Sequence, residues 1–253
     1  FGWNIVVVMP EYRKKTITVK DNLIMIPMFG KQRILNWMQR IGLLEDYLDY
    51  WVNDAYEYMK NRVTKEDIIT LPNPHLRQKS ERIHVINQEV LDQVAKMTDA
   101  ALDWEKSRPH EVSAALAAVQ VDILKRLVII RNDFDDKTND EFIALINPEI
   151  IKYEGEIVED FEGCLSVNHI YGKVPRYSKV RVKALALNGQ EIKLKAEGFL
   201  ARVLQHEIDH TNGIVFIDHI KDNPTAFYEL DKNGELIPIN YEKEIHGNSI
   251  LWD

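Results

Sequence analysis

The chain has 253 residues, of which 45% are hydrophobic, and its formal net charge is -8 at pH 7. The apolar content suffices for a buried core, whereas the negative charge argues against nonspecific binding to nucleic acid or to an anionic membrane. Cys164 is the only cysteine, which excludes an internal disulfide and is typical of a reducing compartment.

Residues 1–65 differ from the rest and are predicted to form an N-terminal extension. The opening run FGWNIVVVMP is too short to span a bilayer and predicts a strand. Two amphipathic helical stretches follow, at about residues 34–41 and 44–59. We expect their apolar faces to pack against the main domain, and a docking surface or an active-site cover is the alternative.

Residues 66–230 are predicted to form the main domain, followed by a C-terminal tail at 231–253. A helix is expected to begin after Asn87, a suitable N-cap, and to end before Pro109. Strands are predicted at 126–131, 142–151, 179–187 and 190–196, the last two joined through Asn188-Gly189. Strands followed by one central helix indicate an α+β fold.

The most specific pattern is LQHEIDHTNG at residues 204–213. His206 and His210 are four residues apart, so a helix presents both imidazoles on one face, where they can bind a divalent metal ion. Glu207 is placed as a general base for a water molecule at that ion. Apolar neighbours predict a largely buried helix, and Asn212-Gly213 predicts its end. The alternative is a solvated helix that happens to carry two histidines.

Two histidines and a water leave one position of a tetrahedral site for a third protein ligand. A metzincin would need its ligand at position 216, where Phe216 stands. Cys164 and Glu229 are therefore the candidates, and Glu229 would correspond to a zinc endopeptidase.

Three motifs together resemble the signature motifs of the peptide deformylase family: ALAAVQVD at 115–122, EGCLS at 162–166 and QHEIDH at 205–210. The similarity extends from about residue 66 to residue 221. It implies antiparallel sheets around a central metal-binding helix. It also implies hydrolysis of the N-formyl group from formylmethionine of nascent polypeptides, with release of formate, in a bacterial cytoplasm or in a translating organelle.

The resemblance assigns one Fe(II) or Zn(II) ion per chain to three ligands: Cys164, His206 and His210. Glu207 would then take a proton from the attacking water and return it to the leaving amine. Gln120 and the backbone N–H of Leu165 would stabilise the oxyanion that forms from the formyl carbonyl.

The resemblance also assigns the substrate site. Ala115 and Leu116 would border the methionine side chain, and Arg176 would face the peptide backbone. Relatives usually have glycine at the positions of Ser113 and Ala115, and commonly proline at Val119. We therefore expect catalysis to be retained with an altered substrate fit.

The expected partner is the formylated nascent peptide, with the ribosome as a further partner that residues 1–62 would contact. Direct binding to nucleic acid or membrane is not expected. An alternative function is that of a catalytically impaired, ribosome-associated or structural protein. His169 is close enough in sequence to Cys164 to be an extra ligand, but we expect it to be solvated, and His219 to be exposed.

Overall fold

The computed structural model describes residues 63–108, 111–134 and 139–252, together with the backbone of residues 4–6 and 22–25. The chain divides into two compact units, Phe1–Arg62 and Val63–Asp253. No helix in the described part of the chain is long and apolar enough to cross a lipid bilayer.

In the first unit, strand β1 (Asn4–Val6) pairs in parallel with strand β2 (Asn22–Met25). β1 lies within the opening run that predicts a strand, whereas β2 was not predicted. The two helices predicted in this unit, at about residues 34–41 and 44–59, lie outside the described residues.

The second unit contains seven strands and three α-helices among its described residues. The strands are β3 (Ala115–Ala117), β4 (Leu127–Arg131), β5 (Phe142–Cys164), β6 (Val167–Leu185), β7 (Glu191–Glu197), β8 (Phe227–Leu230) and β9 (Leu236–Pro238). The helices are α1 (Gln88–Lys106), α2 (Gly198–His210) and α3 (Ser249–Trp252). The strands form one antiparallel sheet in the order β3-β4-β5-β6-β8-β9, and β7 also pairs with β6. An antiparallel sheet with few helices agrees with the predicted α+β class.

Strand β4 is buried along its whole length because both of its faces are covered. Leu127 and Ile129 belong to the apolar cluster that includes α1, and Val128 and Ile130 belong to the cluster that includes α2. Since successive side chains of a strand point to opposite faces, an uninterrupted apolar run is required here. The sheet therefore holds α1 and α2 on its two faces.

Helix α1 begins where the sequence predicts. The side-chain oxygen of Asn87 accepts a hydrogen bond from the backbone N–H of Val90 at 3.2 Å, which satisfies one of the free donors at the start of the helix. Val90, Met97 and Ala101 are buried against the sheet. The predicted cap and apolar stripe are confirmed.

The β5–β6 hairpin is longer than the sequence predicts. β5 continues past residue 151 to Cys164, and Cys164 pairs with Val167 at the turn. The predicted hairpin at Asn188-Gly189 is confirmed, since Leu185 pairs with Glu191 across it. The long hairpin carries Cys164 to the end of a strand, beside α2.

Residues after 230 belong to the second unit and join it through a third apolar cluster. β9 pairs with β8, and Ile245 and Leu251 are buried in the cluster that contains Phe216 and Phe227. The described part of this region contains no long helix.

Gly213 is required where the chain turns after α2. It has φ +77°, and an added Cβ would lie 2.5 Å from the backbone oxygen of Arg77. Gly189 has a similar φ of +79°, but no described atom lies within 4 Å of an added Cβ. We expect Gly213→Ala to lower the free energy of unfolding by about 2–5 kcal/mol, from left-handed strain plus overpacking. Gly189→Ala should cost about 1–2 kcal/mol, from strain alone.

Denaturant unfolding of both variants measures this difference. Equal losses of stability in Gly213→Ala and Gly189→Ala would show that the contact with Arg77 is relieved without cost.

Candidate metal centre

Helix α2 and the β5–β6 hairpin bring one cysteine and two histidines together. His206 and His210 lie one turn apart on α2, and Cys164 ends β5. Their potential ligand atoms all lie within 4.8 Å of one another, and Cys164 Sγ is 3.2 Å from His210 Nε2. A thiolate and two imidazoles form a donor set that suits Zn(II) or Fe(II). The three residues therefore fit a metal ion.

The other two candidate ligands do not join this cluster. Among the described residues, the cluster contains neither Glu229, which lies on β8, nor His169. His169 instead lines the neighbouring cavity. The geometry thus favours Cys164 over Glu229 as the third donor.

Glu207 is buried beside the cluster, on the same helix. Burial raises the pKa of its carboxyl to about 7, although the positive charge of His206 acts in the opposite direction. Within the described residues, neither Glu207 Oε2 nor His210 Nδ1 has a hydrogen-bond partner. Burying an unpaired polar atom is costly, so Oε2 is suited to a polar species that the cavity admits.

Gln120 is held with its amide nitrogen directed at Cys164. Its Oε1 accepts from the backbone N–H of Ala117 at 2.9 Å, and its Nε2 donates to Ser166 Oγ at 3.2 Å. The same Nε2 lies 3.5 Å from Cys164 Sγ. The side chain is 2% exposed, so both anchoring contacts are shielded from water.

Glu162 supports the cluster from behind. Its carboxylate accepts from His206 Nδ1 at 2.9 Å, Arg176 Nε at 2.9 Å and Arg202 Nη1 at 2.7 Å. Burial alone would raise the pKa of Glu162, but the hydrogen bonds and charges of His206 and Arg176 hold it well below its usual range. An ionised Glu162 fixes His206 with Nδ1 turned away from the cluster.

Arg176 has a different environment from the one predicted. It is 5% exposed, it donates to both Glu162 and Asp209, and it does not line the cavity beside Cys164. His219 is exposed, as expected, and its Nε2 lies 2.7 Å from Asp209 Oδ2. These contacts place Arg176 behind the cluster.

A cavity of about 270 Å³ opens beside the cluster. Of the predicted site residues, those lining it are Ala115, Gln120, Cys164, Leu165, His206 and Glu207. Leu116 is fully buried in the core and does not line it. Apolar side chains, among them Trp104, Phe161, Phe199 and Val203, form much of the remaining wall.

Three further residues that surround the cluster have no role predicted from the sequence: Glu162, Ser166 and Arg202. Glu162 and Ser166 lie inside the EGCLS motif, and Arg202 precedes His206 by one turn of α2. Position within the motif is the signal that could have identified the first two. Nothing in the local pattern predicts that Arg202 reaches β5.

An antiparallel α+β domain with a cysteine and two histidines beside a buried glutamate is typical of proteins that bind a single metal ion. The chain belongs to the polypeptide deformylase family, whose family model matches residues 65–225. The resemblance found in the motifs is thereby confirmed.

Curated relatives and solved structures agree with this assignment. A peptide deformylase of Thermomicrobium roseum is 42% identical over 171 residues, which cover 66% of this chain and 93% of the relative. Peptide deformylase 2 of Clostridium acetobutylicum is 44% identical over 147 residues, which cover 58% of this chain and 89% of the relative.

The crystal structure of a peptide deformylase from Legionella pneumophila has a TM-score of 0.54 and 37% identity, covering 62% of this chain and 85% of that one. A peptide deformylase from Acinetobacter baumannii with Met-Ala-Ser bound has a TM-score of 0.53 and 28% identity, and the match covers 60% of this chain and 96% of that one.

Proposed function

We propose that this chain is a metal-dependent peptide deformylase that hydrolyses the N-formyl group of formylmethionine on nascent polypeptides and releases formate. The observation that carries the proposal is the cluster of donor atoms formed by Cys164, His206 and His210, together with a cavity that Cys164 and His206 line with Glu207 and Gln120. Family membership supports the same activity. Met-Ala-Ser, bound in one solved relative, is the peptide that deformylation of formyl-Met-Ala-Ser would leave.

Cys164, His206 and His210 would hold one Fe(II) or Zn(II) ion. When bound, that ion supplies Lewis-acid chemistry: it polarises the formyl carbonyl and lowers the pKa of a water molecule. Cys164 would bind as the thiolate.

Glu207 would move the proton. Its Oε2 is free of protein hydrogen bonds among the described residues, and burial brings the pKa of the carboxyl to about 7. A group with a pKa near neutrality can both accept and return a proton. Glu207 takes a proton from the attacking water and gives it to the amine as the C–N bond breaks, so formate and a free amino terminus result.

Gln120 and Leu165 would stabilise the negative charge that develops on the formyl oxygen. Ala117 and Ser166 hold the Gln120 amide in place before substrate binds, so no reorganisation is needed during the reaction. Leu165 lies in the turn after Cys164 and lines the same cavity, where its backbone N–H is the second proposed donor.

The substrate backbone would lie along β3. Among the described strands, β3 pairs only with β4, so its other edge has no strand partner and could accept an added strand at Ala115. Ala115 on β3 borders the cavity, where we expect its Cβ to alter the substrate fit. Since Arg176 lies behind the cluster, we assign it the role of holding Glu162. Ribosome binding through residues 1–62 and the cellular location stay predictions.

Glu162→Gln tests the support behind His206. Removing this charge leaves Arg176 and Arg202 buried without their shared carboxylate, so we expect a loss of about 3–5 kcal/mol in the free energy of unfolding. Metal affinity should fall about 10–100-fold, because outer-shell partners orient the ligating histidine. Chelator competition measures the affinity.

Glu159→Gln is the matched control, because Glu159 lies on the same strand and is exposed. Equal metal affinity in Glu162→Gln and Glu159→Gln would contradict the supporting role of Glu162.

Mass spectrometry of products separates the candidate functions. The metal-loaded protein should convert formyl-Met-Ala-Ser to intact Met-Ala-Ser and leave acetyl-Met-Ala-Ser unchanged. Cleavage between amino acids of a longer peptide would identify an endopeptidase. Folded, metal-bound protein that produces neither reaction would support the impaired alternative.

A further inference from the structure

A second cavity of about 340 Å³ lies in the second unit. We call its surroundings the basic groove, lined by Lys79, Ser80, Arg82, Arg126, Glu149 and Tyr153. Of the described residues, none lines both this groove and the cavity beside Cys164. The groove is therefore separate from the proposed active site.

Positive charge dominates the basic groove. Lys79, Arg82 and Arg126 face a single carboxylate, Glu149. Glu149 lies 3.8 Å from Arg82, and both side chains are more than half exposed, so the pair is weak. Burial lowers the pKa of Arg126, and the charge of Arg82 lowers it further. An anion in the groove would relieve this repulsion.

Two buried donors at the groove lack acceptors. Ser80 is 4% exposed and Arg126 is 7% exposed, yet Ser80 Oγ and Arg126 Nε have no hydrogen-bond partner within the described residues. The other guanidinium nitrogens are engaged, Nη1 by Asn212 Oδ1 at 2.7 Å and Nη2 by the carbonyl of Pro148 at 3.1 Å. Arg126 is thus held rigidly while one of its donors is unused.

The two residues are also neighbours in space. The carbonyl oxygen of Thr211 accepts from the backbone N–H of Ser80 at 3.0 Å and from Arg126 Nη1 at 3.4 Å. One acceptor therefore ties Ser80 and Arg126 to the same point, just after α2 ends. Since both residues line the groove, a ligand with several acceptor oxygens that binds there lies next to both.

We propose that the basic groove binds a phosphate group, either free or carried by a small organic molecule. A phosphate offers acceptor oxygens to Ser80 and Arg126, while Lys79 and Arg82 neutralise its charge. The volume exceeds what phosphate alone requires, and the half-exposed ring of Tyr153 offers an apolar surface to an organic substituent. The proposal does not depend on the proposed function.

The test is isothermal titration of the full-length, metal-loaded protein with inorganic phosphate at constant ionic strength. Lys79→Gln/Arg82→Gln should weaken phosphate binding at least about tenfold. The matched control is Lys193→Gln/Lys195→Gln, which removes the same charge from exposed positions on β7. Ser80→Ala should weaken binding about threefold or more without lowering the melting temperature, because its hydroxyl has no protein partner to lose.

A second titration with adenosine monophosphate distinguishes the two sources of the phosphate group. If the natural ligand is an organic phosphate, Tyr153→Ala should weaken binding of the nucleotide more than binding of phosphate. If the natural ligand is free phosphate, Tyr153→Ala should weaken the binding of neither probe. Absence of binding by both probes would overturn the proposal, and so would equal losses of phosphate affinity in the groove and β7 variants. Full binding by all groove variants would also overturn it, because the anion would then bind at the metal.

Discussion

Glu207→Gln is expected to lower the rate of formate release from formyl-Met-Ala-Ser by about 10²–10⁴-fold, the range typical of a lost general acid–base. The amide matches the carboxylate in shape but cannot accept the proton of the attacking water. Because Glu207 is not among the cluster's donor residues, the variant should bind the metal as the natural chain does. The measurement is formate release at equal metal content.

Glu229→Gln is the matched control for this change. Glu229 lies on β8, outside the cluster, and it is the residue that an endopeptidase would use as its third ligand. We expect its substitution to leave both metal content and rate nearly unchanged. A slow Glu229→Gln variant together with an active Glu207→Gln variant would contradict the assignment of Glu207.

The second large effect is expected for Cys164→Ala. Two imidazoles alone hold a divalent ion poorly, so metal affinity should fall more than the roughly 10–100-fold typical of outer-shell changes. Deformylation should be lost with the metal. Chelation should lower the melting temperature of the natural chain, because the ion stabilises the folded state, but should not change that of the variant.

His169→Ala is the control for Cys164→Ala. His169 lines the cavity and lies close to Cys164 in sequence, but it is not part of the donor cluster. The His169→Ala variant should therefore retain the metal. Metal bound equally well by Cys164→Ala and by the natural chain would show that the ion is held by other residues.

The sequence predicts elements well where local signals determine them. The cap at Asn87 and the apolar run of β4 depend on hydrogen bonds or burial patterns within a few residues, and both are found in the structure. The turn at Asn188-Gly189 is equally local. Such signals specify a helix start, a buried strand or a hairpin without reference to distant parts of the chain.

The second half of β5 could not be predicted in this way. Residues 151–161 are mostly exposed, and although Ile151, Tyr153 and Ile157 alternate with charged residues, Gly155 and the adjacent pair Ile157-Val158 interrupt the pattern. Pairing with β6 holds this part of β5, through register shifts that interrupt the periodicity further. Only the partner strand defines the element.

In the candidate metal centre, too, the sequence predicts what depends on neighbouring residues and misses what depends on distant ones. Spacing on one helix predicts that His206 and His210 share a face, and the motif resemblance brings in Cys164. The role of Glu162 depends on Arg176, Arg202 and His206, which are 14 to 44 residues away in sequence. Motif matching gave Arg176 a substrate contact, whereas the fold places it among carboxylates behind the cluster.

The dependence of formate release on bound metal is the decisive test of the proposed activity. The full-length protein would be prepared without oxygen, loaded with Fe(II) in increasing amounts and assayed with formyl-Met-Ala-Ser. We expect the rate to rise in proportion to bound iron and to reach its maximum at about one ion per chain, as three donors at a single site require. Folded, iron-saturated protein that releases no formate would contradict the proposed activity.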